Sequence, residues 1–321
     1  MANPASFDDA PRAIEALLRD ELVVADRVIA NNAPILAHLL RSDDNSIFSD
    51  EIVARVRGMF HDLARQLVIA LAEATGEGDP QEWAQAGADE LSGRLIAERS
   101  LRAHLHALAL EWQLTERLHA RIALDPVLPP LLQARIAAGE AVASATAMNL
   151  LAAQARFGQA QRRMQLPVAE LPAPLLATAI HALGALAGAD DAAQRATAIA
   201  AQRLRQRTEP GRNRLVLIDQ VLASIPPAEA AQALSIESAG VAIFLSALAA
   251  GAGLTREMAV MATTETQLSR LALALGACGI GWEAVTAQVM ALHPDVGLPE
   301  GLGALHPDRA AALLVAAAND G

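Results

Sequence analysis

The chain has 321 residues and a net charge of −11; all 25 of its basic residues are arginine, lysine and tyrosine are absent, and Cys278 is its one cysteine. That inventory excludes Schiff-base chemistry, a P-loop lysine, a tyrosine acid or nucleophile, intramolecular disulfides and cysteine-rich zinc sites. The negative balance also disfavours nucleic acid as a partner, unless a local basic patch overrides the repulsion from phosphates.

The predicted elements are helices throughout. Apolar positions at Ile14, Leu17, Leu18, Leu22 and Val28 predict a first helix over 11–31, followed by a short one over 35–40 and a polar loop at 42–46. Ser49 is the expected N-cap of a second helix, with Asp50 and Glu51 favourably placed against its dipole. Its stripe runs Ile52, Val56, Met59, Phe60, Leu63, Leu67 and Leu71, and it is expected to end near Gly76 and Gly78. Asp79-Pro80-Gln81-Glu82 then reads as a capping box with proline at the first helical position, opening a helix that runs to about residue 124 with a break at Gly93. Asp125-Pro126 opens the next segment, and residues 140–164 form another long helix.

Leu166, Pro167, Val168, Ala169, Glu170, Leu171 and Pro172 cannot all be helical, because each proline removes a donor and restricts its predecessor. This segment is the expected boundary between an N-terminal bundle of long helices, 1–165, and a C-terminal domain, 166–321, of shorter helices. Within the latter, residues 245–257 echo 271–283: Gly253 aligns with Gly279, Leu254 with Ile280, and Glu257 with Glu283. The unit is a helix, a glycine suited to positive φ at its end, a hydrophobic anchor and an acidic first turn of the next helix. Residues 222–229 read as a degenerate third copy. The fold class is therefore all-α, with stacked helix pairs in the back half, as in an α-solenoid.

The run Asp125-Pro-Val-Leu-Pro-Pro-Leu-Leu-Gln, the run Gln161-Arg-Arg-Met-Gln-Leu-Pro-Val-Ala-Glu-Leu-Pro172 and the glycine-hydrophobic-x-x-Glu repeat resemble a bacterial family of helical-repeat proteins. The likeness is strongest over residues 166–295. It implies short helix pairs stacked as in HEAT-type arrays, and it brings no catalytic residues with it.

No catalytic constellation stands out. Glu116-Arg-Leu-His119 places a carboxylate and an imidazole on one helical face, but a di-iron bundle needs two such motifs and two further glutamates. His61-Asp62 is an HD pair, which a metal phosphohydrolase completes with a separate histidine and aspartate; His38 and Asp79 or Asp89 are the available candidates. His104 and His106, two apart, point to different helical faces and cannot share an ion. Cys278 sits among apolar neighbours and reads as an inert, buried thiol. The sharpest feature is a basic cluster, Arg203, Arg205, Arg207, Arg212 and Arg214, suited to binding carboxylates or phosphates, with Arg156, Arg162 and Arg163 as a weaker second group.

These features point to a non-catalytic adaptor that presents a protein-binding surface through the arginine cluster, with no cofactor and no metal. The alternatives are a metal-dependent hydrolase using His61 and Asp62 or Glu116 and His119, and a nucleic-acid-binding regulator using the same arginines. The N-terminus lacks the apolar core of a secretory signal, and the apolar run at 240–253 is shorter than the roughly 20 residues that span a bilayer. A lone thiol suits a reducing compartment, so a cytoplasmic protein is expected; its alanine-lined helix faces also suit packing against a second copy.

Overall fold

A computed structural model of the chain describes residues 9–41, 51–76, 78–208, 211, 213–299 and 301–320. These residues contain fourteen α-helices and no strand, so the protein is all-α. The first half is built of long helices: α1 (Asp9–Arg41), α2 (Glu51–Thr75), α3 (Pro80–Ala97), α4 (Arg99–Ile122), the short α5 (Pro130–Ala137) and α6 (Ala141–Arg162). The second half is built of shorter ones: α7 (Ala173–Ala187), α8 (Asp191–Arg207), α9 (Arg214–Ala223), α10 (Ile236–Ala252), α11 (Arg256–Ala262), α12 (Leu268–Ala277), α13 (Trp282–Leu292) and α14 (Pro307–Asp320).

Local chemistry explains most of the ends. Asp79 caps α3, although it accepts from the amide of Gln81 rather than from the third-residue amide of a capping box. The break after α3 falls at Glu98 (φ −73°, ψ 110°) instead of Gly93, and the Arg102 guanidinium satisfies the carbonyls of Ile96 and Ala97 that the break exposes. The first two expected helices are one, because α1 runs straight through Pro34. Ala30 and Pro34 are both exposed, so the carbonyl that proline deprives of its donor faces water. The expected cap Ser49 and the loop 42–46 lie outside the described residues.

The internal echo is reproduced in the backbone. After α10 comes Gly253 at φ +66°, then Leu254 and the first turn of α11; after α12 come Cys278, Gly279 at φ +80°, Ile280 and the first turn of α13. A left-handed residue turns the chain sharply at each helix end, and only glycine takes that conformation without strain. The segment 222–229 is different: α9 ends on Ser224 in the right-handed region, and a 3-10 helix, Pro227–Leu234, follows.

Two apolar cores result, and α4 is the wall between them. Leu101, Leu105, Leu108 and Trp112 face one core, made mainly with α2, α3, α7 and α8 and completed by Leu40 of α1 and Phe157 of α6. Ala107, Leu114 and Leu118 face the other, made with α1, α5, α6 and α9 to α14. Each core thus draws on helices from both sides of the proline-rich segment 166–172, which supplies Leu166, Val168 and Leu171 to the first core instead of linking separate bodies. Gln66 and Asp62 of α2 pin it: Asp62 Oδ2 accepts from the Leu166 amide (3.1 Å), Gln66 Oε1 from the Val168 amide (3.0 Å), and Gln66 Nε2 donates to the Leu166 carbonyl (2.9 Å). Repeats that touch only their sequence neighbours stack as a linear solenoid. Here α2 also packs on α8, α6 on α9, and α1 on α12 and α14, so the helix pairs are cross-braced.

No single helix among the described residues is long and apolar enough to cross a membrane; the apolar pair Pro227–Leu234 and Ile236–Ala252 is bent by 91° at its break, and α10 is largely buried.

Two glycines separate backbone strain from propensity. Gly240 kinks α10 at φ +70°, and a Cβ there would stand 2.9 Å from Pro129. Gly93 is an ordinary helical position with open space around it. Gly240→Ala should therefore lower the urea midpoint, costing about 1–3 kcal/mol or more. Gly93→Ala should raise the midpoint, stabilising the fold by about 0.4–1 kcal/mol.

Candidate functional site

A buried charge network joins α4 to the second half of the chain. Glu111 projects from the middle of α4 and is 1% exposed. Its Oε1 accepts from Arg214 Nη1 (2.7 Å) and Arg256 Nη2 (3.1 Å), and its Oε2 from Arg214 Nη2 (3.1 Å) and Arg256 Nη1 (2.9 Å). Both arginines thus bind the carboxylate in bidentate fashion, the geometry a guanidinium fork is built for. Arg214, itself 1% exposed, lies with its guanidinium carbon 3.7 Å from the centre of the Phe157 ring. Arg256 reaches the Ser246 hydroxyl through Nε (3.1 Å). Burial alone would raise the Glu111 pKa, but the two guanidiniums outweigh it and hold the carboxyl at about 2. Glu170 accepts from the Arg214 amide (3.4 Å); burial raises its pKa against the pull of Arg214.

Beside this network opens a cleft of about 650 Å³, lined mostly by apolar side chains from the 169–177 segment, α9 and α10. Its charged lining comes from Arg205, Asp219, Arg256 and Glu257. Glu257, in the first turn of α11, pairs with His104 of α4 (Nδ1 to Oε1, 3.0 Å), and that bond holds the Glu257 pKa below the usual carboxylate range. His104 is 3% exposed, and its Nε2 is buried without a hydrogen-bond partner. Because a carboxylate can only accept, Nδ1 carries a hydrogen, and Nε2 is the ring nitrogen left without a partner.

The structure disperses the basic cluster. Arg203 donates to the Glu73 carbonyl (2.9 Å) and Arg207 pairs with the Glu73 carboxylate (3.0 Å), so both clamp α8 to the end of α2. Arg205 alone faces the cleft, exposed and with no ion-pair partner among the described residues. Arg212 lies outside the described residues. Arg214 is not on the surface: its place in the cluster is corrected by its complete burial against Glu111. Of the second group, Arg162 stands 6.0 Å over Trp112, which it shares with Arg55.

The histidine motifs do not converge. His61 Nδ1 meets Asp89 (3.2 Å) at a half-exposed position, while its neighbour Asp62 is engaged with the 166 amide, and Asp79 serves as a helix cap. Glu116 lies 3.7 Å from Arg55, and His119 donates to the Leu124 carbonyl (3.0 Å) just past the end of its helix. Among the described residues no group of three or more His, Cys, Asp or Glu is placed to hold a metal ion. Cys278 is half-buried, and burial pushes its thiol up to about 11. It packs so closely on α10 that a Cβ at Gly251 would stand 2.6 Å from its sulfur.

Glu111 was passed over in the sequence, and His104 was singled out only as unable to share an ion with His106, yet α4 carries a signal for both. Positions 104, 107, 111, 114 and 118 form one three-four stripe, apolar at Ala107, Leu114 and Leu118, and a charge or imidazole within such a stripe calls for a buried partner. The partners were not legible, because they lie 103 and 145 residues further along the chain.

Glu111→Gln leaves Arg214 buried without its counter-charge and should cost about 3–5 kcal/mol in urea unfolding. Adding Arg214→Met should recover most of that loss. The folded pKa lies below the usual 4.5, so this carboxylate's stabilisation is complete above that pH and disappears as pH falls towards 2. Acid titration of the native protein should show the loss, and the double variant should lack it. No family model, curated protein or solved structure matches the chain, so what it does has to be read from its own residues.

Proposed function

We propose that the protein is a non-catalytic helical adaptor whose partner docks along the outer face of α1. The observation that carries this reading is the apolar surface of that helix. Leu17, Val23, Val24, Ile35 and Leu39 are large hydrophobic side chains left exposed on it, whereas Leu18, Leu22 and Leu40 supply its buried side. At 100° per residue, positions 17, 24, 35 and 39 fall within about 60° of one another. With a rise of 1.5 Å per residue they extend along about 33 Å of the helix. Several large hydrophobic side chains left exposed on one helical face are what interaction surfaces carry. It borders an opening of about 650 Å³ whose rim includes Asp20, Glu21 and Glu265. A partner helix with an apolar face and basic flanks fits both features.

The arginines contribute less to this reading than the sequence suggests, since Arg203 and Arg207 are committed to Glu73 and Arg214 to Glu111. For the same reason the nucleic-acid reading is left with Arg205 alone among the described members of the cluster. The hydrolase reading gains nothing from His61, Asp62, Glu116 or His119, which lie apart and bind other groups. An adaptor with a single, weakly acidic thiol fits the reducing cytoplasm.

The test uses Val24→Asp and Ile35→Asp together. Both residues are exposed, so the unfolding free energy should stay within about 0.5 kcal/mol of the parent. Capture of a stoichiometric partner from native lysate should fall at least tenfold. Undiminished capture by the double variant would remove α1 as the docking face. If light scattering instead shows a dimer of the parent that the variant dissociates, the occupant is a second copy.

A further inference from the structure

We propose that the cleft between α8, α9 and α11 is a binding site for a small zwitterion with an apolar body, an apolar amino acid or a short apolar peptide with free termini. This goes beyond the adaptor reading and uses none of its residues. The volume, about 650 Å³, lies within the range of small-molecule sites, and such sites combine a mainly apolar lining with a few placed polar groups.

The charge census of the lining sets the ligand class. Of its four charged residues, Arg256 is spent on Glu111 (2.9 Å and 3.1 Å) and Glu257 on His104 (3.0 Å). That leaves one cation, Arg205, and one anion, Asp219, with no ion-pair partner among the described residues and no ion pair with each other. A simple anion would answer Arg205 and face Asp219 unmatched; a simple cation would do the reverse. A ligand bearing a carboxylate and an ammonium matches both, and its apolar body suits the apolar lining, which includes Leu171, Leu176 and Leu215. Asp219 is also partly desolvated: burial raises its pKa against the pull of Arg256, the condition of an acid lacking a close cation. A second, independent sign is His104, which lines the same cleft, is 3% exposed and has a ring nitrogen, Nε2, with no hydrogen-bond partner. Buried polar atoms without partners each call for an explanation, and of those among the described residues only this one belongs to a side chain that lines the cleft.

The experiment is calorimetric titration of the full chain with leucine, the dipeptide Leu-Leu, N-acetyl-leucine and leucinamide. Leucine or Leu-Leu should bind one to one, and the tighter of the two identifies a single amino acid or a peptide as the natural source. N-acetyl-leucine, which lacks the ammonium, and leucinamide, which lacks the carboxylate, should each bind at least about tenfold more weakly than leucine. Arg205→Gln should abolish the preference for leucine over leucinamide, and Asp219→Asn the preference over N-acetyl-leucine. Arg203→Gln, whose parent side chain lies on Glu73 instead of in the cleft, should change neither. Binding of N-acetyl-leucine or leucinamide as tightly as leucine would overturn the proposal. So would the absence of saturable heat from all four at millimolar concentration, or unchanged preferences in both cleft variants.

Discussion

Glu111 keeps its charge at a point where almost no water reaches, and three helices are arranged to make that tolerable. A lone carboxylate in such a place would take up a proton instead of staying ionised. Two guanidiniums, one from the start of α9 and one from the start of α11, surround both of its oxygens and hold it ionised. The converse also holds, since Arg214 is equally buried and has no access to water of its own. Neither partner can leave without stranding the other. That mutual dependence fixes where α9 and α11 sit on α4, which places the walls of the neighbouring cleft.

α4 carries this role because it is apolar on two sides. One stripe of leucines and Trp112 faces α2, α3, α7 and α8; the other faces the second core. The network occupies the second stripe, at the junction of early and late parts of the chain. Gln66 and Asp62 do similar work on the opposite side of the first core, where they give the proline-rich segment the hydrogen-bond partners its irregular backbone lacks. The molecule is thus held by a few directional polar clips set into alanine- and leucine-rich packing.

An arginine-only chain suits this design. The planar fork is used in full at Glu111, where Arg214 and Arg256 each bind through both Nη atoms, while Arg102 holds two carbonyls at a helix break and Arg203 and Arg207 hold Glu73 through one Nη each. A compact ammonium makes no comparable paired contact. Most of the side chains that looked free for a ligand are used internally. Arg205 and Asp219 stand out because they are not, and the exposed face of α1 stands out for the same reason among hydrophobic residues.

What the sequence determined by itself was local: helix as the only element, the long-then-short order of the helices, the cap at Asp79, and the glycine turns at Gly253 and Gly279. Each of these is set by contacts within one or two turns, through propensity, capping and the freedom of glycine at positive φ. The stripe on α4 that contains His104 and Glu111 went unread, although it interrupts an apolar pattern with polar residues. Tertiary structure alone decided the rest. It turned Arg214 from a surface cation into a core residue, joined α3 to α7 and α2 to α8, and let 166–172 become part of a core. Such pairings depend on which surfaces meet after the chain folds back across a hundred residues or more, and charge or hydrophobicity read along the chain holds no record of that distance.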